Sequence, residues 1–396
     1  MIKNQTFVFL SPTYWNDIWR NRQQVASRLA RQNLVIFVEP QRTFAETAPA
    51  RRNPSACLPT NLKVVEPPAA LPFGANFLPE SLVRFLSPFV VKTNTARLAQ
   101  FLKAYLAPHQ SPAPILWLYD PLNVGLVGKL GEKLVVYHAH DDTSIFPFNH
   151  KIRRLIVQSQ RRLLGKADVV FECSLTAYQA EKQSYCHIHY VPNAVDFQHF
   201  QKVLSPDTAI PAEIEAIPRP IIGFYGGIDF RLDLDLLRFI AMSRPQWSLV
   251  LVGNNTLNYY HKHLDLHLFS NIHVFGPRDY QVLPNYLKAF DVVIWPYIAT
   301  ESVCIASTPL KLYECLAAGK PIVTVKLPIE SGRELVYMAR TPGEFVARIE
   351  EAIYDRDNVD RIERGINLAR ENTWEKRVEQ MSALIEEALR NRGDQI

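Results

Sequence analysis

The chain has 396 residues, of which 47% are apolar and 21% charged. That balance excludes a largely disordered polypeptide and gives each of two domains enough apolar surface for its own core. The net charge of +5 is unevenly spread, with 22 Lys and Arg against 13 Asp and Glu in residues 1–200 and 22 against 26 in the rest, so the basic first half points to an anionic partner: a membrane surface, an acidic substrate or nucleic acid.

Phe7–Leu10 reads as a buried strand, residues 17–32 as a helix with Ile18, Val25 and Leu29 on one face, and Leu34–Val38 as a second strand. Residues 43–80 are rich in Pro and Ala and read mostly as loop, with a short strand at Leu62–Val65. Residues 81–107 read as a helix broken near Pro88. Strands at Ile115–Tyr119 and Leu134–His138, a basic helix at 149–165, a strand at Val169–Glu172, a helix at 175–184 and a strand at His189–Val191 complete the first half. Short strands alternating with helices predict βαβ units and a parallel sheet. Residues 201–219, with Pro206, Pro211 and Pro218 and no convincing strand, read as a linker.

The second half alternates more cleanly. Strands are predicted at Ile221–Tyr225, Ser248–Val252, Ile272–Phe275, Val292–Trp295 and Ile322–Val325. Helices are predicted at 233–243, 256–268, 280–289, 310–318, 342–355, 357–370 and 374–391. The predicted class is α/β, with two Rossmann-like doubly wound domains, 1–200 and 220–373. Two such domains in series leave a cleft between the carboxyl edges of their sheets, where open α/β sheets bind ligands. Five cysteines without a C-x-x-C pair give neither a disulfide framework nor a zinc site and suit a reducing cytosol. The N-terminus lacks the pattern of a signal peptide, and no run of 18 apolar residues predicts a membrane span.

Two motifs carry chemistry. In Phe224-Tyr225-Gly226-Gly227-Ile228-Asp229-Phe230-Arg231 a buried strand runs into two glycines and then a helix. Glycines let backbone N–H groups approach an anion, the helix N-terminus adds its dipole, and Arg231 adds a permanent charge. In Pro309-Leu310-Lys311-Leu312-Tyr313-Glu314, Lys311 and Glu314 share a helical face. A lysine in the first helical turn opposes the macrodipole unless an anion is there to bind. Glu314 can accept from two vicinal hydroxyls. A nucleoside diphosphate sugar offers both features, a diphosphate and a ribose. The plainer alternatives are a βα turn with a surface arginine and a surface Lys–Glu pair.

These residues resemble the nucleotide-binding domain of the group-1, family-4-like glycosyltransferases of the GT-B fold. The resemblance runs through Gly226-Gly227…Arg231, Val250-Leu251-Val252-Gly253, Gly276-Pro277-Arg278, Asp291–Pro296 and Lys311…Glu314…Gly319-Lys320-Pro321. Asn193–Asp196 resembles the element such proteins carry before their linker, and Trp374 opens a helix similar to the one that crosses back to their first domain. Trp15…Trp19-Arg20 and Asp141-Asp142 resemble a branch linked to bacterial cell-surface polysaccharide assembly. The resemblance implies that Gly226, Gly227, Arg231, Gly253, Arg278, Lys311 and Glu314 bind the nucleotide sugar, with the backbone near Arg278 at the base. It implies His140 and Asp141, after the strand ending near His138, as the groups beside the anomeric carbon. Two features depart from the family pattern. Ala306 stands where a first glutamate is usual, seven residues ahead of Glu314, and Ser11–Asn16 replaces a Gly-rich loop.

The expected function is transfer of a sugar from a nucleotide-diphosphate sugar to a glycan or lipid-linked acceptor, with retention. No metal and no cofactor beyond the donor is expected. The rival readings are a nucleotide-sugar 2-epimerase and a nucleotide-sugar-binding subunit without turnover. The protein is expected in the cytoplasm, peripheral on the inner face of the membrane. The basic residues Arg84, Lys92, Arg97 and Lys103, beside the apolar stretch 77–91, and Lys151, Arg153, Arg154, Arg161 and Arg162 mark an anionic membrane as partner. A solvated basic face over a core helix is the alternative. Nucleic acid is not expected, because no recognised motif accompanies the charge.

Overall fold

Strands of four to six residues built from Val, Ile, Leu and Phe are apolar on both faces, which suits a parallel sheet covered on both sides. The computed structural model describes residues 1–43, 58–72, 80–109, 113–139, 152–257, 265–298, 310–327, 329 and 331–393. The chain divides into two units, Met1–Pro192 with Glu375–Ile396, and Asn193–Trp374.

The first unit holds β1 (Thr6–Leu10), α1 (Asn21–Leu29), β2 (Leu34–Val38), β3 (Leu62–Val65), α2 (Glu80–Leu106), β4 (Ile115–Leu118), β5 (Leu134–Ala139), α3 (Arg153–Leu164), β6 (Val169–Glu172), α4 (Leu175–Glu181) and β7 (Ile188–Tyr190). Its seven strands are parallel in the order β3-β2-β1-β4-β5-β6-β7. Alternation along the strands divides the core. Val8, Leu10, Leu116, Leu118, Val135 and Tyr137 pack with Leu98 and Leu102 of α2 and Leu163 and Leu164 of α3. Phe9 and Trp117 point to the opposite face and stack at 4.7 Å between centroids. The helix Trp374–Asn391 returns to this unit, where Glu375 pairs with Arg28 of α1 at 2.8 Å.

The second unit holds α5 (Phe197–Gln201), α6 (Ala212–Glu215), β8 (Ile221–Tyr225), α7 (Leu234–Ser243), β9 (Ser248–Val252), β10 (Ile272–Phe275), α8 (Leu283–Ala289), β11 (Val292–Trp295), α9 (Leu310–Ala317), β12 (Ile322–Val325), β13 (Val336–Ala339), α10 (Pro342–Tyr354) and α11 (Val359–Glu371). Its six strands are parallel in the order β10-β9-β8-β11-β12-β13. In both sheets the order reverses beside the first strand, which leaves a crevice at the carboxyl ends of β1 and β4 in one unit and of β8 and β11 in the other. Asp291 lies at the opposite, amino edge of the same two strands. It accepts from the Ile221 N–H at 2.7 Å and pairs with Arg219 at 2.6 Å, and so ties the entry of β8 to that of β11.

Several elements differ from the sequence reading. The stretch 201–219 is not a free linker; it packs within the second unit. Gln201 donates to the Ala317 carbonyl at 3.1 Å, and Lys288 donates to the Ser205 carbonyl at 2.6 Å. β13 was not predicted: its four residues carry no glycine or proline punctuation. The helix read as broken near Pro88 is continuous from Glu80 to Leu106. Pro88 is exposed, so water can satisfy the carbonyl that loses its intrahelical donor. Of the helix predicted at 256–268, the stretch Asp265–Leu268 is a 3-10 turn, and 258–264 lie outside the described residues. Among the described residues no helix is long and apolar enough to cross a membrane.

Candidate active site

β8 ends at Tyr225, and the chain passes through Gly226 and Gly227 into a loop sewn to both neighbouring strand exits. On one side the Ile228 N–H donates to the Asn254 carbonyl, and the Thr256 N–H returns to the Ile228 carbonyl, both at 2.9 Å. On the other side the Asp233 N–H donates to Pro296, and the Ile298 N–H donates to Arg231, both at 2.8 Å. The two glycines are therefore held in place without side chains of their own.

Each glycine lies under a cation. Gly226 has φ +134°, a conformation that L side chains rarely adopt, and a Cβ built on it would lie 2.4 Å from the Lys311 ammonium. A Cβ on Gly227 would lie 3.7 Å from Nη2 of Arg231 and 2.9 Å from the Asp229 carboxylate. Lys311 reaches this point from the first turn of α9, donates to the Tyr297 hydroxyl at 3.1 Å and lies 4.3 Å from the centroid of the Phe224 ring. Arg231 is clamped by Asp229 through Nε at 2.9 Å and Nη2 at 2.7 Å. The structure thus brings together Gly226, Gly227, Arg231 and Lys311, with the Lys311 ammonium and an Arg231 guanidinium paired to Asp229 beside glycine backbone at a crevice of the sheet. That combination is suited to an anion.

Glu314 stands one turn beyond Lys311. Its Oε2 accepts from the Tyr225 hydroxyl at 2.9 Å. Burial pushes its carboxyl up to about 7, against the Tyr225 hydrogen bond and the Lys311 charge, with Asp196 adding to the rise. Gly253 has a packing role: a Cβ there would lie 1.6 Å from the Gly226 carbonyl oxygen. Its lack of a side chain lets the Gly226 turn close over the end of β9.

The Arg278 side chain is engaged within its own unit. It pairs with Glu213 at 2.8 Å and donates to the Tyr286 hydroxyl, which links α6 to α8. Lys320, in the same motif as Lys311, donates to the carbonyls of Lys288 and Phe290 at 3.1 and 2.7 Å and closes the end of α8. His140, Asp141, Ala306 and Pro309 lie outside the described residues. The sequence reading did not single out Asp229, Tyr225 or Tyr297. Asp229 was readable as an acid two residues before Arg231. Tyr297 was not, since its part depends on how two loops pair.

Residues 219–355 match the family model for glycosyl transferases group 1. This segment is similar to the domain that family shares. All of the described site residues fall within it. The protein TuaH of Bacillus subtilis (strain 168), named as a teichuronic acid biosynthesis glycosyltransferase, is 29% identical over 233 residues, which cover 56% of this chain and 57% of TuaH. The match therefore spans a little over half the length of that relative. Among solved structures, the sucrose-phosphate synthase of Thermosynechococcus elongatus superposes with a TM-score of 0.69 at 15% identity, over 98% of this chain and 100% of that one. HepE of Anabaena, in complex with UDP and glucose, gives 0.62 at 16%, over 96% and 99%. The α,α-trehalose 6-phosphate synthase of Burkholderia multivorans gives 0.68 at 11%, over 99% and 100%. At these identities the likeness establishes the fold, which is GT-B.

In the first unit, the carboxyl ends of β1, β2 and β4 open on a cavity of about 200 Å³. Its described lining includes Ser11, Glu39, Asn94 and Asp120 together with Val91 and Leu98 of α2. Burial raises the Asp120 carboxyl above its ordinary range, against the Leu122 N–H and the charge of Arg22.

Proposed function

We propose that the chain is a retaining glycosyltransferase whose donor is a nucleoside diphosphate sugar. The observation that carries the reading is the placement of Lys311 and Arg231 over Gly226 and Gly227 at the second unit's crevice. The diphosphate lies there, and the ribose hydroxyls donate to Glu314. The complex of the similarly folded HepE with UDP and glucose supports a uridine nucleotide. The acceptor is a glycan or lipid-linked glycan, a reading supported by the name of TuaH, and the protein works at an anionic membrane.

In this reading the acceptor oxygen bonds to the anomeric carbon on the face from which the diphosphate leaves. The bond from that carbon to the diphosphate oxygen breaks, and the departing diphosphate takes up the hydroxyl proton. Lys311 and Arg231 stabilise the charge that grows on the leaving group, which is where fixed cations lower a barrier most. His140 and Asp141 follow β5 in sequence and are the proposed contacts to sugar or acceptor.

Incubation with UDP-, GDP- and ADP-sugars, with the products separated, tests the reading. Release of free nucleoside diphosphate, accelerated by an acceptor, is expected. Isomerised nucleotide sugar would identify an epimerase, and binding without either product would identify a subunit lacking turnover.

A further inference from the structure

We propose that the N-terminal half of α2 is a membrane anchor, an apolar stripe that enters the interface of an anionic bilayer while α3 and the C-terminal half of α2 hold the lipid headgroups. This rests on the membrane part of the reading above and is independent of the sugar chemistry.

α2 buries one face. Val83, Ser87, Asn94, Leu98 and Leu102 are buried at helical spacing, and Leu98 and Leu102 enter the core beneath the sheet. On the opposite face, polar residues are expected of a helix bordered by water. Over Thr93, Gln100 and Lys103 that holds, and all three are exposed. Over the first half it fails. Leu82, Phe85, Leu86 and Phe89, spaced i, i+3, i+4, i+7, are all exposed, with 68% of Phe85 and 63% of Phe89 open to solvent. The Phe85 and Phe89 rings stand 6.1 Å apart as neighbours on this stripe. Single exposed apolar residues need no explanation, but a contiguous stripe of four with two phenylalanines does.

The charge around the stripe selects its occupant. α3 covers the same face of the sheet as α2, since Leu163 and Leu164 share the core cluster of Leu98 and Leu102. Its sequence Arg-Arg-Leu-Ile-Val-Gln-Ser-Gln-Arg-Arg-Leu-Leu contains no acid. Arg153, Arg154, Arg161 and Arg162 are exposed, as are Lys92 and Lys103 on α2. The only acid within α2 is Glu80, its first residue. Aromatic side chains flanked by an acid-free basic helix and by exposed lysines are complementary to an anionic lipid surface, where apolar burial and headgroup attraction add.

The experiment is co-sedimentation of the full chain with vesicles of phosphatidylcholine alone and of phosphatidylcholine and phosphatidylglycerol mixed about two to one. Calorimetry with UDP and the melting temperature serve as controls. Binding to the mixed vesicles, weakened by salt, is expected. The exposed positions allow Phe85→Ser/Phe89→Ser without a core cavity. That pair should lower vesicle affinity by at least about tenfold and leave UDP affinity and melting unchanged. Arg153→Glu/Arg154→Glu should weaken binding to the mixed vesicles by at least about tenfold. No binding to either vesicle, binding unaffected by the phenylalanine pair, or a solution dimer that this pair converts to monomer would overturn the proposal. Because UDP binding is read separately, failure here is distinguishable from failure of the transferase reading.

Discussion

Tyr225, the last residue of β8, donates a 2.9 Å hydrogen bond to Glu314 in the second turn of α9. The bond joins the strand that delivers the two glycines to the helix that delivers Lys311. It also leaves the carboxyl titrating near neutrality, raised from 4.5 to about 7, with burial as the largest cause.

The sign of the resulting pH dependence follows directly. A folded-state value above the unfolded one means that the fold holds this proton more tightly. The contribution favours folding below about 4.5 and is lost as pH rises through about 7. Ribose hydroxyls donate best to the ionised form, so nucleotide affinity should climb over the same range. Glu314→Gln should remove that climb. Relative to the wild type, its melting temperature should improve between about pH 5 and about pH 8. Calorimetric titrations and melting curves at the two pH values check both statements. An unchanged affinity profile in the variant would remove Glu314 from the ribose.

Arg231→Ala and Lys311→Ala each delete a charge-assisted contact worth about 1.5–3 kcal/mol. Each should weaken nucleoside diphosphate binding by roughly ten- to a hundredfold with little change in melting, because neither side chain belongs to the buried core. Nucleoside monophosphates should lose less than diphosphates. Affinities measured across the two series check this.

Gly253 and Gly276 offer a contrast between two glycines of the family motif. A Cβ at 253 meets the Gly226 carbonyl oxygen at 1.6 Å, whereas a Cβ at 276 meets nothing nearer than Nη1 of Arg278 at 3.7 Å. Gly253→Ala must displace backbone at the anion site. It should cost about 2 kcal/mol or more and lower nucleotide affinity as well. Gly276→Ala should stay within about 0.5 kcal/mol. Thermal melts of the two variants distinguish them.

The strands were legible because buried parallel strands are short apolar runs, and nearly all of them lie within a residue or two of their predicted positions. What escaped depends on long-range packing. β13 exists because β12 offers it a ladder from Ile322↔Val336 to Val325↔Ala339. The 201–219 stretch belongs to the second unit through contacts such as Arg278–Glu213, 65 residues apart in sequence. In the two motifs, the sequence shows that Gly226, Gly227 and Arg231 share one turn and that Lys311 and Glu314 share one helical face, because local turn and helix geometry fixes where they project. The clamp of Asp229 on Arg231 was readable from a separation of two residues, whereas the contact of Tyr297 with Lys311 depends on how the loops after β8 and β11 pair. The pairing of the Arg278 side chain was not legible, because a motif position does not reveal a partner as remote as Glu213.

His140→Ala should reduce turnover far more than nucleotide affinity, since contacts made at the reacting carbon count mainly in the transition state. A parallel fall in kcat and in UDP affinity would instead mark a structural part. Steady-state kinetics beside direct binding measurements separate the two.

The central claim is that a nucleoside diphosphate sits on Gly226–Gly227 beneath Lys311 and Arg231. The most direct measurement is isothermal titration of UDP, GDP and ADP into the wild-type chain and into Lys311→Ala, with melting temperatures recorded for both. The account predicts saturable binding of at least one diphosphate to the wild type, weakened at least about tenfold in the variant at an unchanged melting temperature. Absence of binding by all three, or equal affinity in the two proteins, would contradict it.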